Sequence, residues 1–302
     1  MLEFVSQPIR VGVGKTPPRG RLVGRLLQGE DLDEIEPALV LAPRRIQSGE
    51  LTLLTHAEHL PDGASIPRAN RADQMLSDLR QGTLKRYVFS LQTSAGRRIV
   101  KIAEARGVGN KLLGALGGSI SRREHAHHRI AEKHDIAASR GCGFLEWRAG
   151  AGLIRSCHLQ KPIPDGVRSL GLFLPEQLDV HGDAALDSLA VALAASHAVP
   201  FFHADLKAFH AFVDDVETSA GAPATYRLRW LDLARASFRL SRRRRIINLY
   251  QTLRWIVPRR PEAEKRFIHA YCRASGWYAD APDRALRSVR RFLDAKLRTH
   301  QP

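Results

Sequence analysis

The sequence predicts an α+β chain of two lobes, a small β-rich lobe followed by a mainly helical one. Three observations carry that expectation. Apolar residues alternate with polar ones through Tyr87, Phe89 and Leu91, the signature of a half-buried strand. Helical spacing dominates from about residue 241 onward. Between them the order runs strands, one helix, further strands, then mostly helices, which is how an α+β chain reads. With 302 residues, 44% hydrophobic and 26% charged, the chain can bury a core without staples, and wholesale disorder, collagen and coiled-coil rods are excluded. The boundaries read as an N-terminal extension over 1–80, a β-rich lobe over 81–165 and a helical lobe over 166–302.

Residues 1–80 carry the least pattern. Val11-Gly12-Val13-Gly14-Lys15-Thr16 looks like the tail of a phosphate-binding P-loop, but Ile9 stands where the first glycine belongs. Pro17-Pro18 then come where the helix should begin, so the segment reads as a decoy. The extension is left open between extra strands, a regulatory cap and a membrane-docking piece.

From Gly82 the elements sharpen. Tyr87–Leu91 and Ile99–Ile102 flank the Ser94-Ala95-Gly96 turn and read as a hairpin. The glycine-rich run 105–118 reads as a loop. Ser121-Arg122-Arg123-Glu124 matches a capping box opening a helix whose one face holds Glu124, His128 and Ala131. Strand-like segments continue to about Pro162, and Leu186, Leu189, Leu193 and His197 mark an amphipathic helix ended by Pro200. A polar turn covers 216–224, and Tyr226–Leu231 alternates as a strand that delivers Asp232. Helices are expected at about 241–257, at 262–275 ending at Gly276, and at 282–298 with Leu286, Val289, Leu293 and Leu297 on one face.

Charge is distributed unevenly. The chain holds 47 basic and 31 acidic residues, net +16, yet residues 1–80 are close to neutral and the stretch from Arg242 onward is strongly basic. Such a surface attracts polyanions: anionic lipid, a phosphorylated substrate or nucleic acid. No apolar run is long enough to span a bilayer, and Met-Leu-Glu-Phe opens no secretory signal, so a cytoplasmic protein is expected. Cys142, Cys157 and Cys272 are odd in number and widely spaced, which suits a reducing compartment.

Four residues taken together point to chemistry. Lys101 lies late in the second hairpin strand, and Glu124 on the next helix can pair with it. Asp205 stands in a His-x-Asp loop, where a carboxylate can take a proton from a hydroxyl. Asp232 ends a later strand, where a carboxylate can hold a hard cation through oxygen. This order is the parts list for phosphoryl transfer, whose chemistry is mostly positioning and neutralising phosphate charge.

His203-Ala204-Asp205-Leu206-Lys207-Ala208-Phe209-His210 resembles a kinase catalytic loop, and Trp230-Leu231-Asp232-Leu233-Ala234-Arg235-Ala236 resembles the metal-binding segment that comes after it. With Ser196-His197 before the loop, the arginine-rich 242–255 and Phe267–Tyr271, the chain resembles the Kdo/WaaP family of lipopolysaccharide core kinases over about 82–275. The resemblance implies a protein-kinase-like fold and phosphorylation of an inner-core sugar hydroxyl by ATP with Mg²⁺. It implies Asp205 as base, Lys207 steadying the transferred phosphate, Asp232 on Mg²⁺, and Lys101 on the nucleotide phosphates, held by Glu124. His210 falls where such enzymes place a second metal-binding residue, although imidazole suits Mg²⁺ poorly. The phosphate-covering loop would be Gly82–Arg86, with one glycine and with Lys85 as nucleotide contact. Ala204 replaces an activation-loop-pairing arginine, and eight residues separate Asp232 from Ser241, both of which favour a non-protein acceptor and constitutive activity. The implied partners are ATP and an anionic glycolipid or phosphorylated sugar, with peripheral contact at the inner membrane of a bacterium.

Competing readings are a kinase acting on a protein or RNA-linked target, a pseudokinase or basic binding module, and nucleic-acid binding, which is disfavoured because no helix-turn-helix, zinc-finger or RNA-binding motif is present. Glu124 could serve only as a cap. His125, His127, His128 and His134 read as a solvated helix face, since no cysteine or carboxylate completes a zinc set around them. His203, Asp205 and His210 could form a metal-hydrolase cluster, but no second ligand motif accompanies them.

Overall fold

The computed structural model describes residues 2–10, 19–36, 52–54, 74, 77–78, 86–105, 118–149, 152–217 and 225–298. The P-loop-like segment 11–16, Gly82, Lys85 and the glycine-rich run 106–117 lie outside the described residues. The chain divides into two compact units. The first comprises 1–58, 62–129 and 139–163; the second comprises 59–61, 130–138 and 164–302. The α+β class is what the structure shows, with a β-rich first unit and a mainly helical second one.

The first unit is an antiparallel sheet of seven strands in the order β1-β2-β6-β7-β5-β4-β3. Its strands are β1 (Leu2–Arg10), β2 (Arg19–Leu27), β3 (Thr52–Leu54), β4 (Arg86–Thr93), β5 (Gly96–Glu104), β6 (Gly141–Ala149) and β7 (Gly152–Gln160). The expected hairpin is β4–β5, with Phe89 opposite Val100. Tyr87, Phe89, Val100 and Ile102 are buried with Leu145 and Leu159 of β6 and β7. Three strands from residues 1–80 join this sheet, so added strands are what the described part of the extension contributes.

Helix α1 (Ile120–Lys133) comes after β5. Its cap differs from the expected box. Ser119 Oγ accepts from the Arg122 N–H at 3.0 Å, while Ser121 Oγ bonds Ser156 Oγ at 2.9 Å. Glu124 is thereby released from capping. His125 and His128, expected on a solvated face, are each only 4% exposed. His134 does lie at the surface, stacked on Phe238.

The second unit holds α2 (Leu170–His181), α3 (Ala184–Ala198), α4 (Arg242–Trp255), α5 (Pro261–Ser275) and α6 (Pro282–Arg298), with a small sheet of β8 (Arg168–Ser169), β9 (Ala211–Glu217) and β10 (Thr225–Trp230) in the order β10-β9-β8. The expected amphipathic helix is α3, but it is buried over most of its circumference, including Leu186, Leu189, Ala190, Leu193 and Ala194. A helix apolar nearly all round is the centre of a core rather than its edge. Phe267, Ile268 and Tyr271 of α5 and Trp230 of β10 fill the same cluster. Helix α5 ends at Gly276 with φ 68°, the left-handed stop expected there. Helix α6 buries Ala285, Leu286 and Val289 and points its arginines outward; the Leu297 side chain lies outside the described part. All three cysteines are buried and free. Among the described residues no helix is long and apolar enough to cross a membrane.

Candidate active site

In the first unit, the strand register sets Lys101 opposite Val88 on one side and His158 on the other. Lys101 Nζ donates to Glu124 Oε1 at 2.6 Å. The two side chains are 16% and 5% exposed, so the pair is largely withdrawn from water. Burial alone would raise the Glu124 carboxyl; the Lys101 ammonium, with His158 and His128 beside it, overrides that and holds it well below the usual carboxylate range. Glu124 is therefore a fixed anion that clamps a lysine.

In the second unit, the segment from Phe201 to His210 is pinned at both ends. Leu206 and Ala208 are buried, and the Ala208 carbonyl accepts from Gly171 N–H. Phe202 exchanges backbone bonds with Ser237 at 2.8 and 2.9 Å. Asn248 of α4 holds the middle: its Nδ2 donates to the His203 carbonyl at 2.6 Å and its Oδ1 accepts the His203 N–H at 3.2 Å. Gln251 Nε2 donates to the Ala204 carbonyl at 2.8 Å. Asn248 is itself oriented, because Oδ1 also faces His197 Nε2 at 3.2 Å and His197 Nδ1 lies 2.6 Å from the Tyr271 hydroxyl. An amide oxygen only accepts, so Nε2 carries the His197 proton and Nδ1 accepts from Tyr271. Arg245 Nη1 completes the chain by donating to the Tyr271 oxygen at 2.6 Å.

This scaffold brings three functional groups together. One ligand atom each from Asp205, His210 and Asp232 lie within 4.8 Å of one another. Asp232 adopts a left-handed backbone, φ 58° and ψ 61°, two residues past the end of β10. A non-glycine residue there is uncommon, and such conformations gather at functional sites. Leu231 N–H donates to the His210 carbonyl at 2.9 Å, which ties the two segments. Lys207 Nζ donates to Asp205 Oδ2 at 3.0 Å, with both side chains about one-third exposed, at 32% and 39%. Burial works to raise the Asp205 carboxyl, but the Lys207 bond and charge bring it below its ordinary value. Burial and the neighbouring His203 lower His210 to about 4, so its ring is neutral near pH 7. Its Nδ1 lies 2.6 Å from the Asp205 carbonyl and must donate there, which makes Nε2 the acceptor nitrogen.

Of the residues singled out from the sequence, the structure brings Lys101 to Glu124 in one unit and Asp205, Lys207, His210 and Asp232 together in the other. Asn248 and Gln251 were missed, and Tyr271 entered only through the Phe267–Tyr271 pattern, with no role given to it. The only sequence signal of Asn248 and Gln251 was a polar residue on an otherwise apolar helix face, which periodicity treats as noise.

No family model and no curated protein matches this chain. Among solved structures it is similar to WaaP in complex with acyl carrier protein, at 16% identity and TM-score 0.43, covering 68% of this chain and 85% of that one. It is also similar to ATP-bound aerobactin synthetase IucA of Klebsiella pneumoniae, at 14% identity and TM-score 0.32, covering 89% of this chain and 59% of that one.

Proposed function

We propose that this chain is an ATP-dependent phosphotransferase of protein-kinase-like plan that acts on a hydroxyl of an anionic glycolipid or phosphorylated sugar, as the sequence resemblance to lipopolysaccharide core kinases implies. The observation that carries the reading is the grouping of Asp205, His210 and Asp232 beside Lys207, on a loop held by buried side chains.

In this reading Asp205 accepts the proton of the attacking hydroxyl. Lys207, already paired with Asp205, balances charge on the transferred phosphoryl group. The carboxylate of Asp232 suits Mg²⁺, a hard cation that takes oxygen ligands and would neutralise phosphate charge. His210 fits that ion less well; its bond to the Asp205 carbonyl makes it a buttress of the loop beside the cation site. Lys101, fixed by Glu124, would contact the nucleotide phosphates.

A non-protein acceptor is supported by the short connection between Asp232 and α4. After Asp232 the chain makes a 3₁₀ turn, Leu233–Arg235, pairs with Phe202 at Ser237, and enters α4 at Arg242, capped by Ser241. That leaves no long segment on which a peptide could be laid. The basic helices beyond suit an anionic acceptor at a membrane surface.

Calorimetry of Mg·ATP binding to the native chain beside Asp232→Asn tests the site. We expect binding to the native chain and a loss on the order of 100-fold or more in the variant, a magnitude typical of removing a charged ligand. Equal binding by the two chains overturns the reading. Transfer of labelled phosphate to glycolipid, abolished in Asp205→Ala, tests the acceptor, and label on protein instead refutes it.

A further inference from the structure

The β-rich unit contains a second convergence of ligand-type side chains, built on Glu124 and on histidines that the phosphotransferase reading does not use. His128 on α1 and His158 on β7 flank the Glu124 carboxylate. His158 Nδ1 lies 3.6 Å and His128 Nε2 3.9 Å from Glu124 Oε1, both too long for hydrogen bonds. The two imidazoles stack with centroids 4.9 Å apart. His125 stands next to them, its ring centroid 6.2 Å from that of His158.

All three histidines are buried, at 4%, 4% and 0% exposure for 125, 128 and 158, and none of their ring nitrogens has a hydrogen-bond partner. Buried imidazole nitrogens without partners are costly, since desolvation goes uncompensated. A glycine makes room for the group. A Cβ on Gly141 would come within 3.1 Å of His128 Cβ, 3.3 Å of His158 Nε2 and 3.4 Å of His125 Nδ1.

We propose that Glu124, His128 and His158 form a binding site for a divalent transition-metal ion of the zinc class. The donor set is two imidazoles and one carboxylate, with a further position open, which suits zinc and its borderline neighbours rather than Mg²⁺. The spacing agrees. Metal–ligand bonds of about 2.0–2.1 Å in a tetrahedron put ligand atoms about 3.4 Å apart. The two nitrogen-to-oxygen separations of 3.6 and 3.9 Å need to contract by only a fraction of an ångström. One nitrogen from each ring and the carboxylate oxygen already lie within 4.8 Å of one another. Gathering these side chains from a helix and a strand around one point gives the unsatisfied nitrogens a common partner.

The site competes with the Lys101 ion pair. Lys101, His128 and His158 all approach the same atom, Glu124 Oε1. A dication on that oxygen repels the ammonium, so metal binding and the Lys101–Glu124 pair exclude each other. The metal site itself does not depend on the phosphotransferase reading.

The test is a Co²⁺ titration followed by visible absorption, with Zn²⁺ as competitor, on the full chain stripped with chelator. The chain carries Asp232→Asn, so that the Asp205 group cannot supply the signal. We expect one ion per chain, the ligand-field bands of a low-coordinate imidazole site, and displacement by zinc. His158→Ala and His128→Ala should each weaken binding on the order of 100-fold, whereas His134→Ala should leave it unchanged. Lys101→Met removes the competing ammonium and should tighten binding on the order of tenfold; this arm holds even if a histidine variant fails to fold. No cobalt uptake, or uptake indifferent to the histidine substitutions and to Lys101→Met, overturns the site. Failure of the native, metal-stripped chain to bind Mg·ATP, with cobalt binding intact in the Asp232→Asn chain, would overturn the phosphotransferase reading alone.

Discussion

Asn248 shows how much of a site can rest on one amide. It is 1% exposed, and it pairs with both the N–H and the carbonyl of His203 while accepting from His197. Asn248→Ala strands a buried donor and a buried acceptor of the loop backbone, each costing about 1–3 kcal/mol. We expect a stability loss of roughly 2–6 kcal/mol by urea unfolding, the sum over the two stranded groups. In a phosphotransferase the larger effect falls on kcat, because the loop that carries Asp205 loses its register while the residues around Lys101 are untouched. Asn248→Asp keeps the acceptor and loses the donor, so its kcat should lie between native and alanine. If kcat is unchanged in Asn248→Ala while stability falls, the amide is structural only and the positioning role is wrong.

At the scale of elements, the seam between β2 and β6 is set by close backbone approach. Gly24 lies opposite Leu145, and a Cβ there would sit 2.1 Å from the Phe144 carbonyl oxygen and 2.9 Å from Leu145 Cα. Those are backbone atoms that cannot swing aside. Gly24→Ala should therefore cost about 1–3 kcal/mol, the usual range for forced overpacking, read as a fall in urea midpoint. An unchanged midpoint would show that β2 does not dock against β6. The same seam explains what the sequence concealed. The β4–β5 hairpin was legible because a turn and a period-two pattern coincide locally. β2 is recruited across more than a hundred residues of intervening chain to pair with β6, and its Gly24 weakens the local strand signal. Helix α2 went unread for a related reason: Gly171 and Pro175 sit inside it and break the pattern. The candidate site was legible because His-x-Asp and the Asp232 strand end are short motifs whose meaning is local. The Glu124–His128–His158 group was not, since His158 lies thirty residues from His128 on a strand whose apolar neighbours hide it.

Across the whole molecule, buried neutral histidines tie the fold to pH. His125, His197 and His210 are each brought to about 4, and His158 is lowered well below its ordinary 6.5, with burial the leading cause in every case. Linkage gives the sign. A folded-state pKa below the unfolded one means that the unfolded chain takes up protons first, so stability is greatest above the unfolded value of 6.5 and is lost as pH falls toward about 4. Each fully excluded proton costs about 1.4 kcal/mol per pH unit, so four acting together approach about 5.5 kcal/mol per unit. A total stability of about 5–15 kcal/mol cannot absorb that for long. The carboxylates held low, Glu124 and Asp205, act only below their ordinary values of 4.5 and 3.8, and the chain should already have unfolded there. Calorimetry at pH 5.5 with chelator, in buffers of different ionisation heat, should give a proton uptake on unfolding approaching four. The melting temperature should fall steadily from pH 6.5 downward. A flat melting temperature over that interval with no proton uptake would mean that these rings find protons in the folded chain, and the neutral state assigned to His210 beside Asp205 would fall with it.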